Sequence, residues 1–430
     1  MNPQLEAFTL LLQAAAPAFT QPSFAIFSEL ICAWVLCPAR RTVTAMIRIA
    51  DPHGRRAHDA YHRFLRAGVW SMARLWRIGA AGMVATFYAG RDKLVLDLDD
   101  TLFHKSGRKV QGAGNFRDPI RSRPPRIVYA LGLNLVVLTL RVQGPWGGEP
   151  LGLPINCRLF HKGGGANHNE LACEMLREVA GWFPNHRFVL CADGAFASLV
   201  ADGLERTHLV SRMRRNAALY ELPPPSTGRR GRPRKKGAHL ASLAELAAQA
   251  PWQRAEIELR GKKTTRLVWS RPVLWYRVWP KSQVLLVIAR DPAGVEPDDY
   301  FFTTDLSASP AWVAETYAGR WSIEDTFRNV KQFLGGQEPQ CWKRQGPERA
   351  ACLSLWVYGV VWSWYITTQG TRRSWPQLPW YRSKRTPSFM DALAALRRVL
   401  WRRTIFATSG SGLLDPKMTD TLLETLSRAA

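Results

Sequence analysis

Tyr317, Arg320, Glu324 and Lys331 lie in the stretch YAGRWSIEDTFRNVKQFLGG with two, three and six residues between them. On a single helix, at about 100° per residue, they fall at about 0°, −60°, −20° and −40° and share one narrow stripe. Ile323, Val330 and Phe333 fall about 160–240° away and are expected to face a core. A lone carboxylate between an aromatic ring and two cations suits a metal ion and a phosphate chain. A solvated charged face on an amphipathic helix is the simpler reading of the same pattern.

Other carboxylates favour the first reading. Asp99 follows the apolar run KLVLDLDDT and Asp193 closes HRFVLCADGAF, each where a strand is expected to end. Carboxylates at neighbouring strand ends, with Glu324 on a packed helix, can converge on hard cations. A pair of such ions about 3.5–4 Å apart serves in-line phosphodiester chemistry. Oxygen ligands without His or Cys favour Mg²⁺ or Mn²⁺. Asp97 and Asp100 crowd the first position. Strand alternation puts Asp97 on the face of Asp99, and Asp100 is the second choice for the first ligand. DLDDTL also resembles the nucleophile motif of haloacid-dehalogenase-type phosphatases, in which Asp97 would be the nucleophile. That alternative has only the weak PDDY at 297–300 for its later acids, and it gives the charged stripe no role.

The chain has 430 residues, long enough for two or three domains with a substantial core. Its 59 Lys and Arg against 34 Asp and Glu leave a net charge of +25, the footprint of a nucleic-acid partner. The hydrophobic share of 46% argues against wholesale disorder. Seven cysteines form no C-x-x-C pair, which fits a reducing cytoplasm rather than a disulfide framework or a zinc finger. The N-terminus shows no leader pattern. The apolar stretch 350–368 reads as a buried core helix rather than a membrane span.

Residues 1–88 carry helical periodicity interrupted by Arg40, Arg41, Arg48, Arg55, Arg56 and Arg63, as a small DNA-reading domain would. From 89 to 216 come a strand, then RIVYALGLNLVVLTLRV and LGLPINCRLF as two more, a helix over NHNELACEMLREVAGWF, and the strand ending at Asp193, a mixed α/β layout. Residues 217–305 hold the basic run PPPSTGRRGRPRKKG and a β-rich insertion that includes VLWYRVWP. Helical patterning returns over 306–370, and 371–430 forms a short helical tail. Arg230-Gly231-Arg232-Pro233 is similar to an AT-hook core, in which two arginines extend along a narrow minor groove. Arg212, with Arg214 and Arg215, is positioned to line a DNA channel, whereas Trp275 and Trp279 read as buried aromatics before base wedges.

With these residues in place, the chain resembles the DDE transposases of bacterial insertion sequences. The branch is the one marked by Tyr-x2-Arg-x3-Glu-x6-Lys, which Tyr317, Arg320, Glu324 and Lys331 match without a gap. Asp99 and Thr101 fit the D-x-T motif, Asp193 fits the second acid, and QFLGG follows the signature as in the family; His104 departs from the proline usual there. The resemblance spans roughly residues 90–365. It implies an α/β RNase H-like mixed sheet with flanking helices, interrupted by a β-rich insertion, with a helical N-terminal domain. It implies Asp99, Asp193 and Glu324 as ligands of two Mg²⁺ ions, with Mn²⁺ able to substitute, and Tyr317, Arg320 and Lys331 gripping DNA near the cut. It further implies cleavage of double-stranded DNA at terminal inverted repeats through hairpin ends, joining to target DNA, and a homodimer in the DNA complex. A non-catalytic DNA-binding relative remains an alternative.

Overall fold

In the computed structural model, the described residues are 2–118, 120–224, 234–259, 261–369, 375–377, 379–380, 382–409 and 415–429. Five helices lead: α1 (Pro3–Ala14), α2 (Gln21–Leu36), α3 (Val43–Ala50), α4 (His58–Ala67) and α5 (Met72–Phe87). There follow β1 (Lys93–His104), β2 (Gly114–Arg117), β3 (Tyr129–Val142), β4 (Leu151–Phe160), α6 (His168–Trp182), β5 (Arg187–Ala192) and β6 (Thr207–Arg212). Next come α7 (Leu243–Ala248), β7 (Gln253–Leu259), β8 (Lys262–Val273), β9 (Val284–Arg290) and β10 (Asp299–Thr303). The chain closes with α8 (Pro310–Ala318), α9 (Trp321–Phe333), α10 (Gly346–Gln369), α11 (Phe389–Ser409) and α12 (Pro416–Arg428).

The strands form one mixed sheet in the order β2-β3-β1-β5-β6-β10-β9-β8-β7, with β4 also paired to β3. β1, β3 and β4 are antiparallel neighbours, while β5 and β6 extend the sheet in parallel from β1. This arrangement, flanked by helices, is that of an RNase H-like fold. β3 is buried along most of its length, as a strand covered on both faces must be, so its apolar run is nearly continuous rather than alternating. The second half of the sheet is the β-rich insertion, joined to β6 through β10 by continuous backbone pairing.

Three expectations are corrected. VLWYRVWP is not a strand of its own: β8 ends at Val273, and Trp275–Trp279 turns back on itself, the Trp279 amide bonding to the Trp275 carbonyl at 2.8 Å. Trp275 is buried edge-on against Phe302, so core burial rather than strand pairing explains the aromatic pattern. The motif strand does not stop at its acids either: β3 keeps pairing with β1 as far as His104↔Gly132, whereas β5 releases β1 after Leu98↔Ala192. Asp99 therefore lies within a strand, at the point where the parallel pairing ends.

The third correction concerns the opening stripe, which is carried by two helices. Gly319 and Arg320 keep right-handed helical dihedrals, but the bonding tightens to three-residue steps: Arg320 amide to Tyr317 carbonyl at 3.1 Å and Ser322 amide to Gly319 carbonyl at 3.2 Å. The cause is Arg141 on β3. Its Nη1 donates to the Thr316 carbonyl at 2.8 Å, the acceptor that a continuous helix would have offered to Arg320. Ile323 and Val330 are fully buried, and Phe333 packs partly buried against the same core.

The core runs through the whole chain. α10 is the one helix among the described residues long and apolar enough to cross a membrane, yet most of it is buried inside the protein. The N-terminal helices pack onto it. Arg349 of α10 donates to the carbonyls of Gly68 and Trp70 at 2.9 Å each, its guanidinium 4.1 Å from the Trp70 ring centre. Trp34 of α2 donates to the Leu334 carbonyl, just past α9, at 2.8 Å. Arg41 is buried, Arg55 pairs with Asp51 and Arg56 with Glu29, so half of the arginines that interrupt the helical pattern are structural; Arg40, Arg48 and Arg63 face solvent.

Candidate active site

Asp99, Arg320 and Glu324 meet directly. Arg320 places Nη1 2.6 Å from Asp99 Oδ2 and Nη2 2.7 Å from Glu324 Oε1. A planar guanidinium is built for such a double engagement. Burial works against its charge, but Asp99, Tyr317 and Glu324 hold it above the ordinary arginine range. Its Nε is buried without a partner. Asp99 is the more constrained acid. Burial pushes its carboxyl up to about 7; Arg320 opposes the shift, while Asp193 and Asp100 add to it.

Asp193 follows β5 directly. Its carboxylate accepts from the Ala195 amide at 2.6 Å and caps the short helix Gly194–Asp202, while Ser211 of β6 donates to its carbonyl at 3.0 Å. Because Leu98 pairs with Ala192, the next residues, Asp99 and Asp193, emerge side by side where β1 and β5 part. The structure thus joins Asp99 and Glu324 through Arg320 and sets Asp193 beside Asp99.

The neighbouring acids go elsewhere. Asp97 is fully buried and ion-paired with Arg141; Arg141 Nε is 3.1 Å from its Oδ2, and Ser322 Oγ donates to the same oxygen at 3.1 Å. A carboxylate so enclosed has no open face for a phosphate ester, which disfavours the phosphatase reading. Asp100 points to the opposite side of the sheet, where Asn134 Nδ2 donates to it at 2.7 Å and Asn134 Oδ1 lies 2.8 Å from His168 Nε2. The acids at 297–300 are paired as well, Asp298 with Arg290 and Asp299 with Arg212.

Tyr317 is held between cations. Arg320 lies 5.4 Å and Arg212 5.7 Å from its ring centre, and the Phe301 ring packs against it, tilted, at 4.8 Å. Burial raises its phenol above the ordinary range, against the pull of both arginines. Tyr317, Arg320 and Arg212 line a cleft of about 680 Å³ between α8 and the β-rich half of the sheet. Lys331 stands two turns beyond Glu324, 5.8 Å from the Phe103 ring centre and without an ion pair among the described residues. Burial lowers its ammonium to about 8. Arg230 and Arg232 lie outside the described residues.

Sequence reasoning missed Arg141. Its signal was available: an acid inside a buried strand needs a counter-charge, and Arg141 is the cation that interrupts the apolar run of β3.

The donor set around Asp99, Asp193 and Glu324 is oxygen only, which suits a hard divalent cation. Arg320 sits between two of the carboxylates. As arranged, no group of three His, Cys, Asp or Glu among the described residues is gathered closely enough to hold a metal.

The family model described as "Transposase DDE domain" matches residues 149–359, the segment with Asp193 and Glu324. The model described as "DDE superfamily endonuclease" matches residues 19–148, the segment with Asp99. No curated protein matches the chain. Two adjoining matches to the same superfamily, together with the RNase H-like sheet, support a DDE transposase.

Proposed function

We propose that the chain cuts insertion-sequence ends from flanking DNA and joins them to a target, by metal-dependent phosphodiester chemistry. The observation that carries this reading is the Arg320 fork, which reaches Asp99, 221 positions away, and Glu324, four positions away, beside Asp193. Asp99, Asp193 and Glu324 would hold the divalent ions, Mg²⁺ with Mn²⁺ as substitute, two per site. When bound, such ions activate the attacking oxygen and steady the leaving one. Arg320, released from the two carboxylates, offers a bidentate phosphate fork. Lys331 supplies a point charge farther along α9, and Tyr317 presents a ring to an unstacked base. Cut-and-paste through hairpin ends, a homodimer on paired ends, residues 1–88 and the tract around Arg230 and Arg232 as further DNA contacts, and a cytoplasmic, nucleoid-associated setting complete the reading.

Purified protein with labelled element-end duplex and Mg²⁺ tests it. Glu324→Gln should lower strand cleavage by at least about a hundredfold, comparable with loss of a catalytic charge-stabilising group, while gel-shift binding persists. Unimpaired cleavage by that variant would sink the assignment.

A further inference from the structure

His104 is the position at which the signature departs from expectation, and the structure gives it a partner. As the last residue of β1, it sets Nε2 2.9 Å from Asp118 Oδ2. Asp118 is buried, and its other oxygen accepts from the amides of Ile120 at 3.0 Å and Arg121 at 3.2 Å. Farther out, Ser122 Oγ bonds both the amide and the carbonyl of Val128, and the Arg123 amide bonds the Arg126 carbonyl at 3.0 Å. The connection between β2 and β3 is therefore a braced hairpin pinned to the strand that carries Asp99.

Its surface is unusual. Arg117, Arg121, Arg123 and Arg126 are all exposed, and among the described residues only Arg121 reaches an acid, Asp118 at 3.5 Å. Between them stand Ile120, 78% exposed, and Tyr129, 66% exposed. Four clustered cations, three of them with no acid partner among the described residues, on a braced support, form an electrostatic grip for a polyanion. Apolar side chains set among such arginines suit the sugar and base edges of a groove. The hairpin also lies next to the candidate site. It is pinned at His104, the neighbour of Phe103 that lies under Lys331.

We propose that this hairpin is a DNA-binding arm. Arg117, Arg121, Arg123 and Arg126 hold phosphates of the duplex that continues past Lys331, and Ile120 and Tyr129 rest against its groove. His104 is a positioning residue that sets the angle of the arm through Asp118. The inference rests on the proposed DNA-cleaving function for the kind of partner, but it concerns residues which that function does not use.

The test uses the full chain carrying Glu324→Gln, so that DNA stays intact, and duplex DNA titrated at several salt concentrations. Arg123→Ala with Arg126→Ala should lower the slope of log affinity against log salt by about two, since each phosphate contact releases about one counterion. Ile120→Ala with Tyr129→Ala should weaken binding several-fold at unchanged slope, because apolar contacts release none. His104→Ala should weaken binding, and His104→Gln, which can still donate to Asp118, should restore it. These side chains are at the surface, and matching circular dichroism melts confirm folding. An unchanged slope in the double arginine variant overturns the arm, as does failure of His104→Gln to restore what His104→Ala loses. Cleavage by the chain with Glu324 intact is scored on the same DNA. Cleavage with unaltered slopes overturns the arm alone, and altered slopes without cleavage overturn the catalytic reading alone.

Discussion

Asp97 and Asp99 lie two residues apart on one face of β1 and have opposite fates. Asp97 is spent on Arg141 inside the protein; Asp99 meets Arg320 at the rim. Removing one partner of a buried pair leaves the other charge uncompensated, so Arg141→Ala should cost about 3–5 kcal/mol, read by urea denaturation. Lys331 yields a pH prediction. Its folded-state value of about 8 lies below the ordinary lysine value of 10.5. The charged form is disfavoured in the fold, so this residue alone makes stability rise as pH climbs from 8 to 10.5, where the unfolded chain binds more protons. DNA binding should run the other way, because the proposed phosphate contact needs the proton. Affinity should fall as pH passes 8, and Lys331→Arg should flatten that fall; fluorescence anisotropy titrations between pH 7 and 9 check it. Asp193 and Glu324 could be singled out in the sequence because acids at strand ends and a spaced signature are local patterns. The fate of Asp97 was not, since its partner lies in another strand.

At the scale of elements, the junction of α8 and α9 decides where the signature residues point. A Cβ on Gly319 would lie 2.5 Å from Arg141 Nη1, so only glycine leaves room for the guanidinium that takes the Thr316 carbonyl. Gly319→Ala should displace Arg141 and cost about 1–3 kcal/mol, as overpacking does. Differential scanning calorimetry reads that loss, and the cleavage assay should show a parallel fall as Arg320 shifts. A periodicity argument could not see this junction, because the backbone angles stay helical and the helix is interrupted by a side chain from β3. Gly335 plays a plainer part: its φ of +54° turns the chain out of α9 towards α10. The strands and α6 were readable from apolar runs and an Asn167 cap with Glu170 three residues on. The short strand β2 offered no such run.

Across the whole molecule, the N-terminal helices and the catalytic sheet share one core through α10. A chain beginning at residue 89 would expose the apolar face of α10 and strand Arg349 without its carbonyl partners. It should lose near-ultraviolet circular dichroism and bind hydrophobic dyes. A cooperative melt of the truncated chain at the wild-type temperature would show the helical segment to be dispensable. The sequence revealed the helical character of residues 1–88 but not their docking, because the surface that receives them belongs to a helix more than 250 positions away.

The unbroken pairing from β1 to β7 makes the sheet a ruler. Six steps separate these strands, and at about 4.8 Å per step the far edge lies roughly 29 Å from the strand of Asp99. Along a duplex with about 3.4 Å of rise per base pair, that is about eight to nine base pairs. A DNA end reaching from the strand of Asp99 to that far edge would be measured against the proposed place of cutting by backbone hydrogen bonds, and inserting or deleting a strand would move the boundary of the protected DNA by one or two base pairs.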